Sequence, residues 1–181
     1  MEGCVFTTNK EKLNKLLILK PDTSNIREMS WMKGKNYLVM GDVYENNNNL
    51  YPYAPRNILK KKVDELKEVG YSVKAASELE FYLYSKKYSE NYLKGLTRIK
   101  EFGTHAEDYL IQQGDKYEHI YEKFRTKLRD SGISVETTKG EASIGQHEIN
   151  IAHNEAVEMS DSVLVLKAVK LLKYIFINNV T

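Results

Sequence analysis

Lys139-Gly140-Glu141-Ala142-Ser143-Ile144-Gly145-Gln146-His147-Glu148-Ile149-Asn150 is the stretch on which the fold of this chain turns. Glu141 and Glu148 stand seven residues apart, an odd spacing. On one straight strand, where successive side chains alternate between faces, they would point opposite ways. The two carboxylates converge only if the backbone turns or bulges between them, and Gly145, lacking a Cβ, is the residue that permits it. A surface hairpin accounts for the same letters, so this segment alone does not distinguish a site from a polar turn.

Toward the N-terminus lies a second acidic stretch, Ser77-Glu78-Leu79-Glu80-Phe81-Tyr82-Leu83. Read as a strand, it sets Glu78 and Glu80 on one face and sends Leu79, Phe81 and Leu83 into a core. Residues two apart on a strand are roughly 6.5–7 Å apart at Cα, and carboxylates held that closely repel unless a proton or a cation intervenes. Oxygen-only ligation suits magnesium or manganese better than zinc. A half-exposed strand with an acidic outer face explains the pair equally well.

The flanking pattern mixes helices and strands without a regular βαβ rhythm. Tyr37-Leu38-Val39-Met40 reads as a buried strand ending at Gly41-Asp42, followed by a polar turn at Asn46-Asn47-Asn48-Asn49. Pro55 begins a helix in which Ile58, Leu59, Val63 and Leu66 recur at helical spacing, and Gly70 stops it. Residues 71–85 read as a strand, while 86–107 are polar and show no periodicity. Residues 117–128 form a helix on the spacing of Ile120, Tyr121, Phe124 and Leu128, closed by Asp130-Ser131-Gly132. Short strands follow at 133–136 and 146–151. A last helix spans 155–177, with Val157, Asp161, Leu164, Val165, Ala168, Val169 and Leu172 near one face. The sum is an α+β fold, an antiparallel sheet with flanking helices.

Composition bounds the function. A chain of 181 residues, 41% hydrophobic and 29% charged, is long enough to bury one core. A net charge of +2 argues against nucleic acid as a partner, and Lys60-Lys61-Lys62 reads as a solvated helix face. The single cysteine, Cys4, rules out an internal disulfide and suits a reducing cytoplasm. Lys167, Lys170 and Lys173 interrupt the most apolar stretch, so no membrane span is expected. The charged segment 9–15 does not read as a signal peptide.

The two acidic stretches, in this order and spacing, resemble those of the glutamine synthetase family. Glu78-Leu79-Glu80-Phe81 is similar to that family's Glu-x-Glu-Phe strand, and Glu141 through Glu148 to its Glu-x-x-x-Gly-Gln-x-Glu segment. Further matches fall in family order from residue 20 to residue 172: Lys20-Pro21-Asp22, Trp31, Asp42-Val43-Tyr44, Tyr53-Ala54-Pro55-Arg56, Asp161 and Lys167. The detail of the 139–150 stretch is closer to the class I-like branch that includes the γ-glutamylpolyamine synthetases.

The resemblance implies an ATP-dependent ligase. ATP phosphorylates the γ-carboxylate of glutamate, and ammonia or an amine then displaces phosphate to form an amide. Carried over residue by residue, Glu80, Glu141 and Glu148 would hold a magnesium or manganese ion nearer glutamate. Glu78 would hold one nearer the ATP phosphates, and Glu136 matches a position that contacts the nucleotide. No catalytic nucleophile or acid–base residue is singled out. The expected domains are 1–19, the end of an N-terminal β-grasp region, and 20–181, the N-terminal half of the catalytic domain. The histidine and glutamate that complete the ATP-side metal site, and the arginines that bind glutamate and phosphate, are not matched here. The alternative to an active ligase is therefore an inactive remnant that keeps the fold and a cation site. His153 stands where the family commonly places an aromatic residue near adenine; His105, His119 and His147 read as surface or structural. The family forms ring homo-oligomers.

Overall fold

The computed structural model describes residues 5–6, 17–85, 100–106 and 108–173. Most of the polar stretch 86–107, Cys4 and residues 174–177 of the expected last helix lie outside the described residues. Among the described residues the elements run in the order β1 (Val5–Phe6), β2 (Leu17–Glu28), β3 (Tyr37–Glu45), α1 (Pro55–Glu68), β4 (Lys74–Tyr82), α2 (Ile111–Lys116), α3 (Glu118–Asp130), β5 (Val135–Gly140), β6 (Gln146–Glu155) and α4 (Ala156–Lys173). The strands form two three-stranded antiparallel sheets, β1-β2-β3 and β4-β6-β5. The fold is α+β, as the mixed pattern implies.

Alternation decides which face of β4-β6-β5 is inside. Phe81, Leu83, Ile149 and Ile151 are buried, and α3 and α4 cover them with Ile120, Tyr121, Phe124, Leu128, Met159, Val165, Leu166 and Val169. Phe81 meets Phe124 edge to face, ring centroids 5.9 Å apart, a geometry that aromatic quadrupoles favour. Each such side chain contributes about 1.5–3 kcal/mol on burial, so this layer anchors the strands that carry the acidic residues on their opposite face.

The turn expected at Gly145 is present. Its φ of +72° is left-handed, and a Cβ there would lie 2.9 Å from the Leu83 carbonyl oxygen. Gly41 is needed for a different reason. A Cβ at that position would come within 2.9 Å of the Lys20 carbonyl oxygen on the paired strand. Asn48, with φ +69°, makes the expected asparagine turn, closed by hydrogen bonds from the Glu45 N–H to the Asn49 carbonyl and from the Asn48 N–H to the Glu45 carbonyl.

Several expectations require correction. The strand at Tyr37 continues to Glu45 and is not buried, with Tyr37 and Val39 exposed. On α1, Ile58 and Leu66 are exposed and the buried residue is Asn57, whose amide donates to the carbonyls of Val43 and Tyr51. Leu164 is exposed on α4, whereas Met159, Ser162 and Leu166 are buried. The strand expected at 133–136 runs instead from Val135 to Gly140, its hydrogen bonds to β6 setting the range. The helix Ile111–Lys116 carries too little periodicity to be seen in the sequence. No described helix is long and apolar enough to cross a membrane.

An ionic hub ties the β1-β2-β3 sheet to the helices. A bulge in β2 between Pro21 and Ile26 lifts Asp22 out of the ladder, and Arg56, in the first turn of α1, reaches three elements. Its guanidinium donates to Asp22 at 2.8 Å, to Asp161 of α4 at 2.9 Å and to Asp42 of β3. Lys60 donates to Asp42 at 2.6 Å, and Asn25 to Asp161 at 2.8 Å. The hydrogen bond to Asp161 first, then those to Asp22 and Asp42, hold Arg56 above its ordinary pKa against the opposing effect of burial. Ser24 and Arg56 hold the Asp22 carboxyl down at about 2.

Candidate functional site

Register brings the two acidic stretches together. In the β4–β6 ladder Glu80 lies directly opposite Glu148, and Glu78 opposite Asn150. In the β5–β6 ladder Lys139 lies opposite Glu148 from the other side, and Thr137 opposite Asn150. Since Ile149 and Ile151 point into the core, Glu148 and Asn150 share the outer face with Glu78, Glu80 and Lys139. Glu141 follows β5 directly; its backbone N–H donates to the Gln146 carbonyl at 2.9 Å, and it reaches the same face across the Gly145 turn. The odd spacing of Glu141 and Glu148 is thus reconciled by a turn.

Burial grades across this face. Glu78 and Glu80, on the edge strand β4, are exposed, whereas Glu148 on the central strand is buried. The Lys139 ammonium donates to Glu148 Oε2 at 2.9 Å and also to Glu141. Burial opposes the charge on Lys139, but the hydrogen bonds to the two carboxylates outweigh it and raise the pKa above the usual lysine range. Lys139 in turn lowers the pKa of Glu141. The Tyr109 ring stacks over the ammonium, 4.6 Å from its centroid, a cation–π contact. Glu80 is engaged differently: Gln146 Nε2 donates to its Oε2 at 2.7 Å, while Gln146 Oε1 accepts from Tyr82 Oη at 3.2 Å and from the Ser143 N–H at 3.1 Å.

The face therefore presents carboxylates on three backbone segments, with Lys139 and Gln146 between them. Among the described residues, no group of three or more His, Cys, Asp or Glu side chains is arranged to hold a metal ion as it lies. The donor chemistry nevertheless fits a hard divalent cation, because every acidic ligand is an oxygen. A second observation agrees: Asn150 Oδ1 is buried on this face with no hydrogen-bond partner, and an orphaned acceptor is costly unless a cation or its hydration shell satisfies it. Glu136 sits in a β5 bulge between Val135 and Thr137 and is exposed; bulges of this kind re-aim a side chain.

The histidines divide by burial. His105, His119 and His153 are exposed. His147 is fully buried, shares a 2.7 Å hydrogen bond through Nδ1 with Tyr121 Oη, and meets the Tyr117 ring edge to face at 4.6 Å. Burial pushes its pKa down to about 4, so the ring is neutral and packs as part of the core. The Lys60-Lys61-Lys62 run is a solvated face paired with acids, Lys60 with Asp42 and the other two with Glu65.

Three residues on the face were quoted in the sequence only as motif letters: Lys139, Gln146 and Asn150. For Lys139 a signal was present. It lies two residues before Glu141, which places both on one face if β5 runs that far.

Residues 52–172 match the family model for the glutamine synthetase catalytic domain. The chain is 29% identical over 153 residues to the γ-glutamylethanolamide synthetase of Streptomyces coelicolor, covering 82% of this chain and 32% of that protein. It is 28% identical over 151 residues to a glutamate–isopropylamine ligase of Pseudomonas, covering 83% and 33%. The chain thus spans about a third of the length of these relatives. Its fold is similar to that of GmaS in complex with ADP, with a TM-score of 0.76 and 18% identity over 96% of this chain and 40% of that one. It is also similar to a glutamine synthase homolog, with a TM-score of 0.74 and 16% identity over 96% and 42%.

Proposed function

Because this chain belongs to the glutamine synthetase catalytic-domain family, we propose that it supplies the cation-binding strand face of an ATP-dependent ligase that amidates the γ-carboxylate of glutamate with ammonia or an amine. The observation that carries this reading is the register that sets Glu80 opposite Glu148 on one sheet face. Glu80, Glu141 and Glu148 would hold a magnesium or manganese ion beside glutamate, Glu78 would hold one beside the ATP phosphates, and Glu136 would contact the nucleotide. Bound there, such cations neutralise phosphate charge and fix the reacting oxygens, which is most of what phosphoryl transfer asks of a protein.

The chain's own residues do the positioning. The buried layer behind β4 and β6 fixes the carboxylate backbones, and a rigid donor set is what a cation template needs. Gln146 holds Glu80 by its amide until a cation recruits the carboxylate. The relatives named a γ-glutamylethanolamide synthetase and a glutamate–isopropylamine ligase support an amine as the nitrogen donor, and those named glutamine synthetase support ammonia. Residues 1–19 correspond to the end of a β-grasp region and 20–181 to the first half of the catalytic domain. The second reading is a catalytically inactive protein that keeps the fold and the cation site.

Manganese should raise the thermal stability of the chain by mass action, by about 2.7 kcal/mol at a hundred times its Kd. Glu80→Gln and Glu148→Gln should lose most of that gain. Equal stabilisation of all three proteins would remove the cation site. The ligase step itself is tested by ADP formation in a mixture of this chain with a polypeptide supplying the remaining length of a relative. ADP formation should require both glutamate and an amine; formation indifferent to both would contradict the assignment.

A further inference from the structure

Lys139 occupies the position on the strand face where a cation would be expected. Its ammonium lies between Glu141 and Glu148, hydrogen-bonded to both, with the Tyr109 ring above it. It is the cation that the structure shows among the acidic side chains of this face, and it stands on β5, the strand flanking Glu148 on the side away from Glu80. Its side chain is 22% exposed, against 14% for Glu141 and 5% for Glu148. The three groups are therefore partly withdrawn from water, where removal of one partner matters more than at an open surface.

We propose that Lys139 is a built-in counter-ion that competes with the divalent cation for Glu141 and Glu148, so that cation entry requires the ammonium to leave. The inference rests on the cation-site reading above. Two carboxylates brought to one face repel each other when no cation is present. A tethered ammonium relieves that repulsion and keeps the pair poised in the metal-free protein. The same ammonium carries a single charge on a flexible four-carbon stem, so an ion with two charges and several oxygen ligands can displace it.

The structure offers Lys139 a place to go. It also lines an adjoining cavity of ≈ 270 Å³, bounded by Tyr109, Asp115, Glu118, Thr138 and Gly140. A swing outward from the edge strand would take the ammonium toward Asp115 and toward Glu118, which is itself paired with Arg125. Lys139 would thus set the cation affinity lower than Glu80, Glu141 and Glu148 alone would give, and would couple cation binding to movement of one side chain. Tyr109 itself holds a left-handed backbone with φ +62°, a conformation unfavourable for a non-glycine residue, and its ring lies against the lysine ammonium.

The test is titration of the intact 181-residue chain with manganese, following free ion by electron paramagnetic resonance, for the wild type, Lys139→Met, Lys139→Gln and Glu148→Gln. Both lysine variants should bind manganese roughly ten-fold more tightly than the wild type, and their metal-free melting temperatures should fall. Lys139→Gln keeps much of the stem and a hydrogen-bond donor, and serves if the methionine variant misfolds. Equal or weaker binding by the lysine variants, with binding still lost in Glu148→Gln, would overturn the competition and leave the cation site standing. Absence of manganese binding in the wild type and both lysine variants would overturn both.

Discussion

The Arg56 hub and the outer face of β4-β6-β5 are both carboxylate clusters assembled from distant parts of the chain, yet they balance charge differently. In the hub, Asp22, Asp42 and Asp161 meet Arg56 and Lys60, and Arg56 reaches all three acids. On the strand face, among the described residues, Glu78, Glu80, Glu141 and Glu148 share the ammonium of Lys139, which touches two of them. The hub is nearly neutral and joins β2, β3, α1 and α4. The strand face retains surplus negative charge, part of it exposed, on a layer held rigid from behind. A compensated cluster holds structure together, whereas an undercompensated one on a rigid support is prepared for a cation from solution.

That contrast can be broken most forcefully at Arg56. Arg56→Met leaves three partly buried carboxylates facing one another with Lys60 alone, and should cost about 3–5 kcal/mol in urea denaturation. On the strand face, Glu148→Gln should cost the metal-free protein far less, because it relieves repulsion with Glu141 while losing one bond to Lys139. A Glu148→Gln loss as large as that of Arg56→Met would erase the distinction between the two clusters.

Acid sharpens the comparison next. His147, directly behind the strand face, has its pKa lowered by burial from 6.5 to about 4. A lowered folded-state pKa means that the unfolded chain binds the proton first. The stability from keeping this ring neutral is full above pH 6.5 and is lost as pH falls through 4, on the order of 2–3 kcal/mol. Asp22 behaves alike at lower pH. Its stabilisation is present above its unfolded pKa of 3.8 and is lost as pH falls through about 2, on the order of 1–2 kcal/mol after allowing for partial exposure. Stability curves of His147→Phe and Asp22→Asn against pH, each compared with the wild type, should diverge from it in those two windows and in that order.

The smallest effect belongs to Lys61, exposed on α1. Lys61→Ala should change stability by less than about 0.5 kcal/mol, because its ion pair with Glu65 spans 4.0 Å on an open surface.

The sequence made local geometry legible and long-range pairing illegible, and the two clusters show why. The alternation of Glu78 and Glu80 against Leu79, Phe81 and Leu83 is written in consecutive letters, and the Gly145 turn follows from an odd spacing between two acids. The hub is not written that way. Asp22, Asp42, Arg56 and Asp161 were visible only as separate family matches, because nothing local says that Arg56 and Asp161 meet across 105 positions. Lys139 fell between these cases. Its face could be deduced from Glu141 two residues on, but its partnership with Glu148 required the β5–β6 register, and β5 ran past the expected end at 136. Ile58, Leu66 and Leu164 were expected inside on periodicity alone and are exposed. Periodicity gives a stripe without saying how wide the covering surface is.

The central claim is that separate backbone segments present Glu80, Glu141 and Glu148 to a common divalent ion. Manganese-soaked crystals, measured for anomalous scattering at the manganese edge, address it directly. The account predicts a peak among these three carboxylates, with the Lys139 ammonium withdrawn from between Glu141 and Glu148. A fully soaked crystal with no peak on this face, and Lys139 still bridging the two glutamates, would contradict it.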